Sequence, residues 1–109
     1  MQLADTVKLM ESENYKDRFK AEYLQTKIRY EKLKSLNNKI EAANRTAYRA
    51  ARSRRTEIIG EEQEQKSVVE MPQHDCPEEL LREQQTTMGN YLRILEVRAE
   101  IEGVDLYET

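Results

Sequence analysis

The sequence predicts an all-α fold: a long antiparallel helical hairpin with a short N-terminal helix, assembling into an oligomeric bundle. Neither Gly nor Pro occurs from Met1 through Ile59, which is typical of a long uninterrupted helix. Of the 109 residues, 38% are hydrophobic and 36% are charged, with no Trp and one Phe, so a single chain has little apolar surface to bury. Because the single Cys76 cannot form an intrachain disulfide, self-association is the expected source of additional stability.

The chain is expected to form one domain, 1–109, because its length suits a single hydrophobic core. It begins with a short helix predicted at about 4–11. The apolar side chains that we expect this helix to bury are Leu3, Val7 and Met10.

A long helix is predicted at about 13–59, with Ser12 as its capping candidate and Gly60 as the residue that ends it. Two amides, Asn37 and Asn44, lie at the edge of its apolar stripe. We expect both to be exposed; the alternative is that they are buried and set the register or the oligomeric state.

A loop is predicted at about 60–75, where the apolar periodicity is lost, and a second long helix at about 77–102. Pro77 suits the first helical position and Gly103 suits the end of the helix. Gly89 lies within this helix, which indicates that another helix or a ligand approaches closely there; we expect the helix.

Both long helices carry apolar side chains at steps of three, four or seven residues, so each directs one face toward a partner. The residues predicted to form the core or the oligomer contacts are Phe19, Tyr23, Tyr30, Leu33, Ile40, Leu81, Met88, Tyr91, Leu92 and Leu95.

The net charge of −3 conceals a strong asymmetry along the chain. Residues 1–56 contain 14 Lys and Arg against 7 Asp and Glu, a net charge of +7, whereas residues 57–109 contain 4 against 14, a net charge of −10. An antiparallel hairpin would place the basic limb beside the acidic one, which favours pairing within or between subunits; two solvated helices of unequal charge are the alternative. General binding to duplex DNA is not expected at a pI of about 5.3.

No catalytic or metal-binding set of residues is apparent, and no cofactor is expected. The chain has one His and one Cys, with no Gly-rich phosphate loop and no paired-carboxylate motif. His74 and Cys76 could supply two metal ligands, but a structural zinc site needs four. The sequence also lacks the apolar stretch of a signal peptide or a membrane span, so a cytoplasmic protein is expected.

The sharpest local feature is the segment 44–55, which contains five arginines. No acidic residue occurs between Glu41 and Glu57. On a helix, most of these arginines and one tyrosine fall on a single stripe. Arginine binds phosphate oxygens in a bidentate manner and tyrosine can stack on a base. The tentative phosphate and base ligands are therefore Arg45, Tyr48, Arg49, Arg52 and Arg55, with Arg98 from the second helix. The alternative is a solvated basic face that pairs with acidic residues of the loop or of the second helix.

Two segments carry a pattern known from other proteins. On the second helix it consists of Cys76-Pro77-Glu78-Glu79-Leu80-Leu81, Glu83-Gln84, Met88, Tyr91, Leu95, Arg98 and Ile101-Glu102-Gly103. On the first long helix it consists of residues 14–23 and 27–33. Over about two thirds of the chain these residues resemble small helical-hairpin proteins of phages and prophages of Firmicutes. The hairpin is also distantly similar to phage sponge proteins (anti-CBASS and anti-Thoeris proteins), which sequester cyclic nucleotides in oligomeric helical assemblies.

The resemblance implies a non-catalytic phage counter-defence protein that blocks anti-phage immunity by binding. The leading hypothesis is sequestration of a cyclic nucleotide immune signal by a homo-oligomer in the host bacterial cytoplasm, without contact with a membrane. Two alternatives stay open: an anti-CRISPR protein that inhibits a Cas9-type effector directly, through the protein or its guide RNA, and a phage scaffold or assembly protein.

Overall fold

The computed structural model describes the backbone of residues 2–56 and 69–107 and the side chains of residues 2–49 and 69–107. Within these ranges the chain is helical and contains no strand, which confirms the predicted all-α class. The elements are a 3-10 helix at Leu3–Thr6, α1 at Val7–Met10, α2 at Tyr15–Thr56 and α3 at Glu78–Glu102. α3 packs antiparallel on α2, and the molecule is a rod of 70 × 25 × 24 Å.

The N-terminal segment packs on α2 through a polar residue. Thr6 is fully buried; its hydroxyl donates to the carbonyl of Leu3 (2.7 Å) and accepts from the side-chain amide of Gln25 (2.8 Å). Val7 and Met10 are exposed, so the prediction that they are buried is wrong. The 3-10 turn before α1 has three residues per turn instead of 3.6, and this shift in phase turns Thr6 rather than Val7 toward α2.

α2 begins at Tyr15, two residues later than the sequence predicts, because Asn14 caps it. The side-chain oxygen of Asn14 accepts the backbone N–H of Lys16 at 3.0 Å. Ser12, the predicted cap, donates instead to the carboxylate of Asp17 at 2.7 Å.

The predicted loop is described only in its second half. Residues 57–59 of the predicted long helix and residues 60–68 of the loop lie outside the described residues, and residues 69–77 lead without regular structure into α3. α3 ends as expected, because Gly103 adopts the left-handed backbone (φ 72°) that closes a helix.

The main core lies between the first half of α2 and the second half of α3. Its buried cluster consists of Phe19, Tyr23, Leu92, Leu95, Ala99 and Leu106. Leu106 belongs to the C-terminal tail and seals this end of the hairpin. The Tyr23 hydroxyl donates to Glu96 at 2.9 Å, and burial, followed by this hydrogen bond, raises the pKa of Tyr23.

The residues predicted to form the core or the oligomer contacts differ in how far they are buried. Phe19, Tyr23, Ile40, Leu81, Leu92 and Leu95 are buried, Tyr30, Leu33 and Met88 are partly buried, and Tyr91 is exposed. Tyr91 lies at the margin of the interface, where its hydroxyl donates to the Glu22 carboxylate of α2.

Asn37 is buried at 8% exposure, so the expectation that it is exposed is wrong. Its amide nitrogen donates to the carbonyl of Leu81 (3.2 Å) and to the side-chain oxygen of Gln85 (2.8 Å) on α3. Asn44 is exposed as expected and donates to Glu78. Because a shift of one helix along the other would separate the amide from the Gln85 side chain, Asn37 favours this register of the hairpin.

Gly89 lies against a side chain of α2. A Cβ atom added at this position would lie 3.4 Å from Cε2 of Tyr30. The close approach expected from the sequence is therefore made by an aromatic ring, and it leaves room for a methyl group at ordinary contact distance.

Alanine in place of Gly89, within α3, and in place of Gly103, at its C-terminal end, should change the free energy of unfolding in opposite directions. Gly89→Ala is expected to raise the free energy of unfolding by up to about 1 kcal/mol, because alanine favours the helix and its methyl group fits at contact distance. Gly103→Ala is expected to lower it by about 1 kcal/mol or more, because the left-handed backbone strains any side chain. Urea denaturation at one fixed protein concentration measures both. A destabilising Gly89→Ala would contradict the geometry of the Tyr30 contact.

Removing the buried amide should weaken the hairpin more than removing the exposed one. Asn37→Ala is expected to lower the free energy of unfolding by about 1–3 kcal/mol, because the change removes one buried and one partly buried hydrogen bond. Asn44→Ala is the matched control, with an expected loss below about 1 kcal/mol. Equal losses in the two variants would show that Asn37 does not hold the register.

Candidate functional site

The described part of the predicted arginine stripe is exposed on α2. Arg45 bonds to Glu41 one turn earlier, with Nη2 at 2.9 Å from Oε1. Tyr48 and Arg49 are exposed, and Arg49 makes no ion pair with any described residue. Arg52 and Arg55 belong to the α2 backbone, but their side chains lie outside the described residues.

Arg98 lies at the other end of the hairpin. Its guanidinium stacks over the ring of Phe19, 4.8 Å from the centroid, and bonds to Glu102 at 2.8 Å. The hydrogen bond to Glu102 raises the pKa of Arg98. Phe19 precedes Arg45 by 26 residues on the same helix, a separation of roughly 39 Å at 1.5 Å per residue. Within one chain, Arg98 therefore does not join Arg45 and Arg49 in a single site.

A shallow cleft of about 360 Å³ lies on α2 next to the arginines. Its lining residues are Glu31, Lys34, Ser35, Asn38, Lys39, Ala42 and Val69. Two ammonium groups, an amide, a hydroxyl and one carboxylate thus surround a small apolar floor. This set of donors suits an anionic ligand of modest size.

One wall of the cleft comes from the segment that leads to α3. The backbone N–H of Val69 donates to the hydroxyl of Thr46 at 3.2 Å. That hydroxyl in turn donates to the carbonyl of Ala42, which is 2.9 Å away. This contact fixes the start of the described segment against α2 beside the cleft.

The cleft and the arginine stripe form one continuous surface. Lys34, Asn38, Ala42, Arg45 and Arg49 follow one another at steps of three or four, so they share one face of α2. The distance from the first to the last of these positions is roughly 22 Å along the helix. We call this surface the basic face, defined by Lys34, Asn38, Arg45 and Arg49, with Lys39 and Tyr48 at its two opposite edges.

The sequence pattern predicts arginines as ligands, but the lysines of the cleft were not predicted. A signal was present, because Lys20, Lys27 and Lys34 are spaced by seven residues and so lie on the same side of the helix. Val69 also has a signal, because Val68, Val69 and Met71 are apolar residues of the predicted loop that we expect to hold it against the helices; the point at which the loop returns to α2 is not given by the sequence.

Among the described residues, no ion pair joins the basic first half of the chain to the acidic second half. Both ion pairs among the described residues join positions four apart on one helix, Arg45 with Glu41 and Arg98 with Glu102. The expected pairing of the basic limb with the acidic limb within one chain is therefore not found among these residues. The cations of the basic face consequently remain directed at solvent.

Two other regions offer less for a phosphate ligand. A groove of about 600 Å³ lies between α3 and the C-terminal tail, but Glu96, Glu100 and Asp105 outnumber Arg93 along it. His74 hydrogen-bonds through Nδ1 to the carbonyl of Cys76, which orders the turn before α3. No cluster of three or more potential metal ligands occurs among residues 2–56 and 69–107.

None of the helices in the described ranges combines the length and apolar composition needed to cross a membrane. This finding concerns those ranges alone.

Comparison with known proteins gives one match. The family model described as Sequestin matches residues 61–101, a range that includes the described segment 69–77 and nearly all of α3. No curated protein and no solved structure matches the chain. The segment 61–101 is thus similar to Sequestin, and its described part supplies Val69 to the cleft.

Proposed function

We propose that this protein is a non-catalytic phage counter-defence protein that sequesters a cyclic nucleotide immune signal on the basic face. The observation that carries the proposal is the contact between Val69 and Thr46, where the Sequestin-like segment meets the cationic side chains of α2. The family name itself denotes sequestration, which agrees with a binding role. The proposal requires that the protein act in the host bacterial cytoplasm, where such signals are made.

The residues of the basic face suit a ligand with phosphates and bases. Lys34 and Lys39 offer ammonium groups at the cleft, and Arg49 offers an exposed guanidinium roughly three to four turns further along α2. Tyr48 presents an exposed ring that a base can stack on. Arg45 can exchange its exposed partner Glu41 for a phosphate at little cost, because surface ion pairs contribute little.

The lining of the cleft favours capture without conversion. It contains neither His nor Cys, and Glu31 supplies its one carboxylate. A ligand held there would meet donors for its phosphates and no assembled nucleophile and base. Removal of the signal from solution would then depend on affinity and on the amount of protein.

The arginine pair should be needed for binding. We expect a cyclic dinucleotide or trinucleotide from a defined panel to raise the melting temperature of the wild-type protein, because a ligand of the folded state stabilises it. Arg45→Ala with Arg49→Ala is expected to weaken that binding at least about tenfold, since two charge-assisted contacts are lost. Arg82→Ala is the matched control, because Arg82 is exposed on α3 and lies away from the basic face.

Isothermal titration of the three proteins measures the affinities, and chromatography of the nucleotide after heat release shows whether it is unchanged. A nucleotide recovered in cleaved form would refute sequestration. If no panel member binds and a Cas9-type nuclease is blocked at stoichiometric protein, direct inhibition replaces the proposal. Equal affinities of the wild type and the double variant would show that the nucleotide does not bind to the basic face.

A further inference from the structure

α3 is apolar on two opposite faces. Leu81, Leu92, Leu95 and Ala99 are buried against α2 and the C-terminal tail. On the opposite side, a second stripe is exposed to solvent. Its members are Ile94, Val97 and Ile101, with 47%, 49% and 79% of their surfaces exposed. A surface helix of a soluble protein is normally polar on its outer side, so a second apolar stripe indicates a further contact.

The exposed stripe has the spacing of a coiled-coil seam. Ile94, Val97 and Ile101 follow steps of three and four, as do the a and d positions of a heptad. Arg93 and Glu100 flank this seam on one edge, seven residues apart. Both are exposed, and neither forms an ion pair with any residue in the described ranges.

We infer that a second copy of this chain packs antiparallel on this face of α3 to form a two-fold dimer. A two-fold axis near residues 95 and 96 places Ile94 of each copy against Val97 of the other. The same axis brings Arg93 of each copy near Glu100 of the other, so the ion pair forms twice. The surface is therefore complementary to itself.

The charges also select the direction of the pairing. In a parallel pair, Arg93 of one copy would lie near Arg98 of the other, because residues five apart face each other across a parallel seam. Two guanidinium groups would then repel. Antiparallel pairing replaces this repulsion by an attraction, and it leaves Arg98 free to keep its bond to Glu102.

The groove beside the seam gives the second copy room. Arg93, Val97 and Glu100 also line the 600 Å³ groove, whose far wall is formed by Val104 and Tyr107 of the tail. Side chains of the second copy that lie at the edge of the seam enter this groove. The basic face lies on α2, so the dimer contact and the proposed nucleotide contact occupy different helices.

The mass in solution tests the inference. Sedimentation equilibrium of the wild-type chain is expected to show a dimer or an assembly built from dimers. Ile94→Glu is expected to raise the dissociation constant at this contact at least about tenfold, because a carboxylate would be buried in the seam. Leu80→Glu is the control, because Leu80 is 51% exposed on the same helix but lies outside the part of α3 that overlaps the second copy. The mass distribution of this variant is expected to equal that of the wild type. Circular dichroism verifies that both variants are folded.

A charge exchange tests the direction. Arg93→Glu is expected to weaken the dimer, and Arg93→Glu combined with Glu100→Arg is expected to restore it, because the attraction is rebuilt with its sign reversed. A parallel dimer would instead become tighter in Arg93→Glu, where the new carboxylate faces Arg98. A monomeric wild type, or an unchanged mass in folded Ile94→Glu, would overturn the inference, whether or not a nucleotide binds to the basic face.

Discussion

The register between α2 and α3 depends on polar contacts within a mostly apolar interface. Tyr23 bonds to Glu96 and, fourteen residues further along α2, Asn37 bonds to the carbonyl of Leu81, fifteen residues back on α3. Apolar stripes on two long helices can pack in several alignments that differ by a turn, since methyl groups impose little direction. A buried amide with two partners excludes the shifted alignments, because they would leave it unsatisfied.

This register determines where the loop returns and therefore where the cleft forms. With α3 fixed on α2, the segment before it must run back along the far part of α2, where Val69 meets Thr46. The cleft combines lysines of one limb with a residue from the other. Two acidic side chains of α3 bond across the hairpin to neutral donors of α2 rather than to its cations, Glu96 to Tyr23 and Glu78 to Asn44.

The two ends of the rod have different physical characters. At the tail end, Arg98 and Phe19 stack beside the main core, and Leu106 covers it, so the cation there is part of the packing. At the other end, the described arginines of α2, Arg45 and Arg49, are exposed to solvent. The same residue type thus acts as a structural contact in one place and is available for a ligand in the other.

The sequence by itself determined the helical class, the antiparallel hairpin and the end of α3 at Gly103, because periodicity, breakers and the left-handed preference of glycine act over a few residues. Only the tertiary structure decided that Thr6 and Asn37 are buried, that Arg98 is separated from Arg45, and that Val69 completes a cleft with Lys34. Each of these depends on contacts between residues that are distant in the chain, and the local pattern of a polar or charged side chain is the same whether it faces water or a partner. The physical reason is that burial of a polar group is set by whether a hydrogen-bonding partner arrives from another segment, which no single segment encodes.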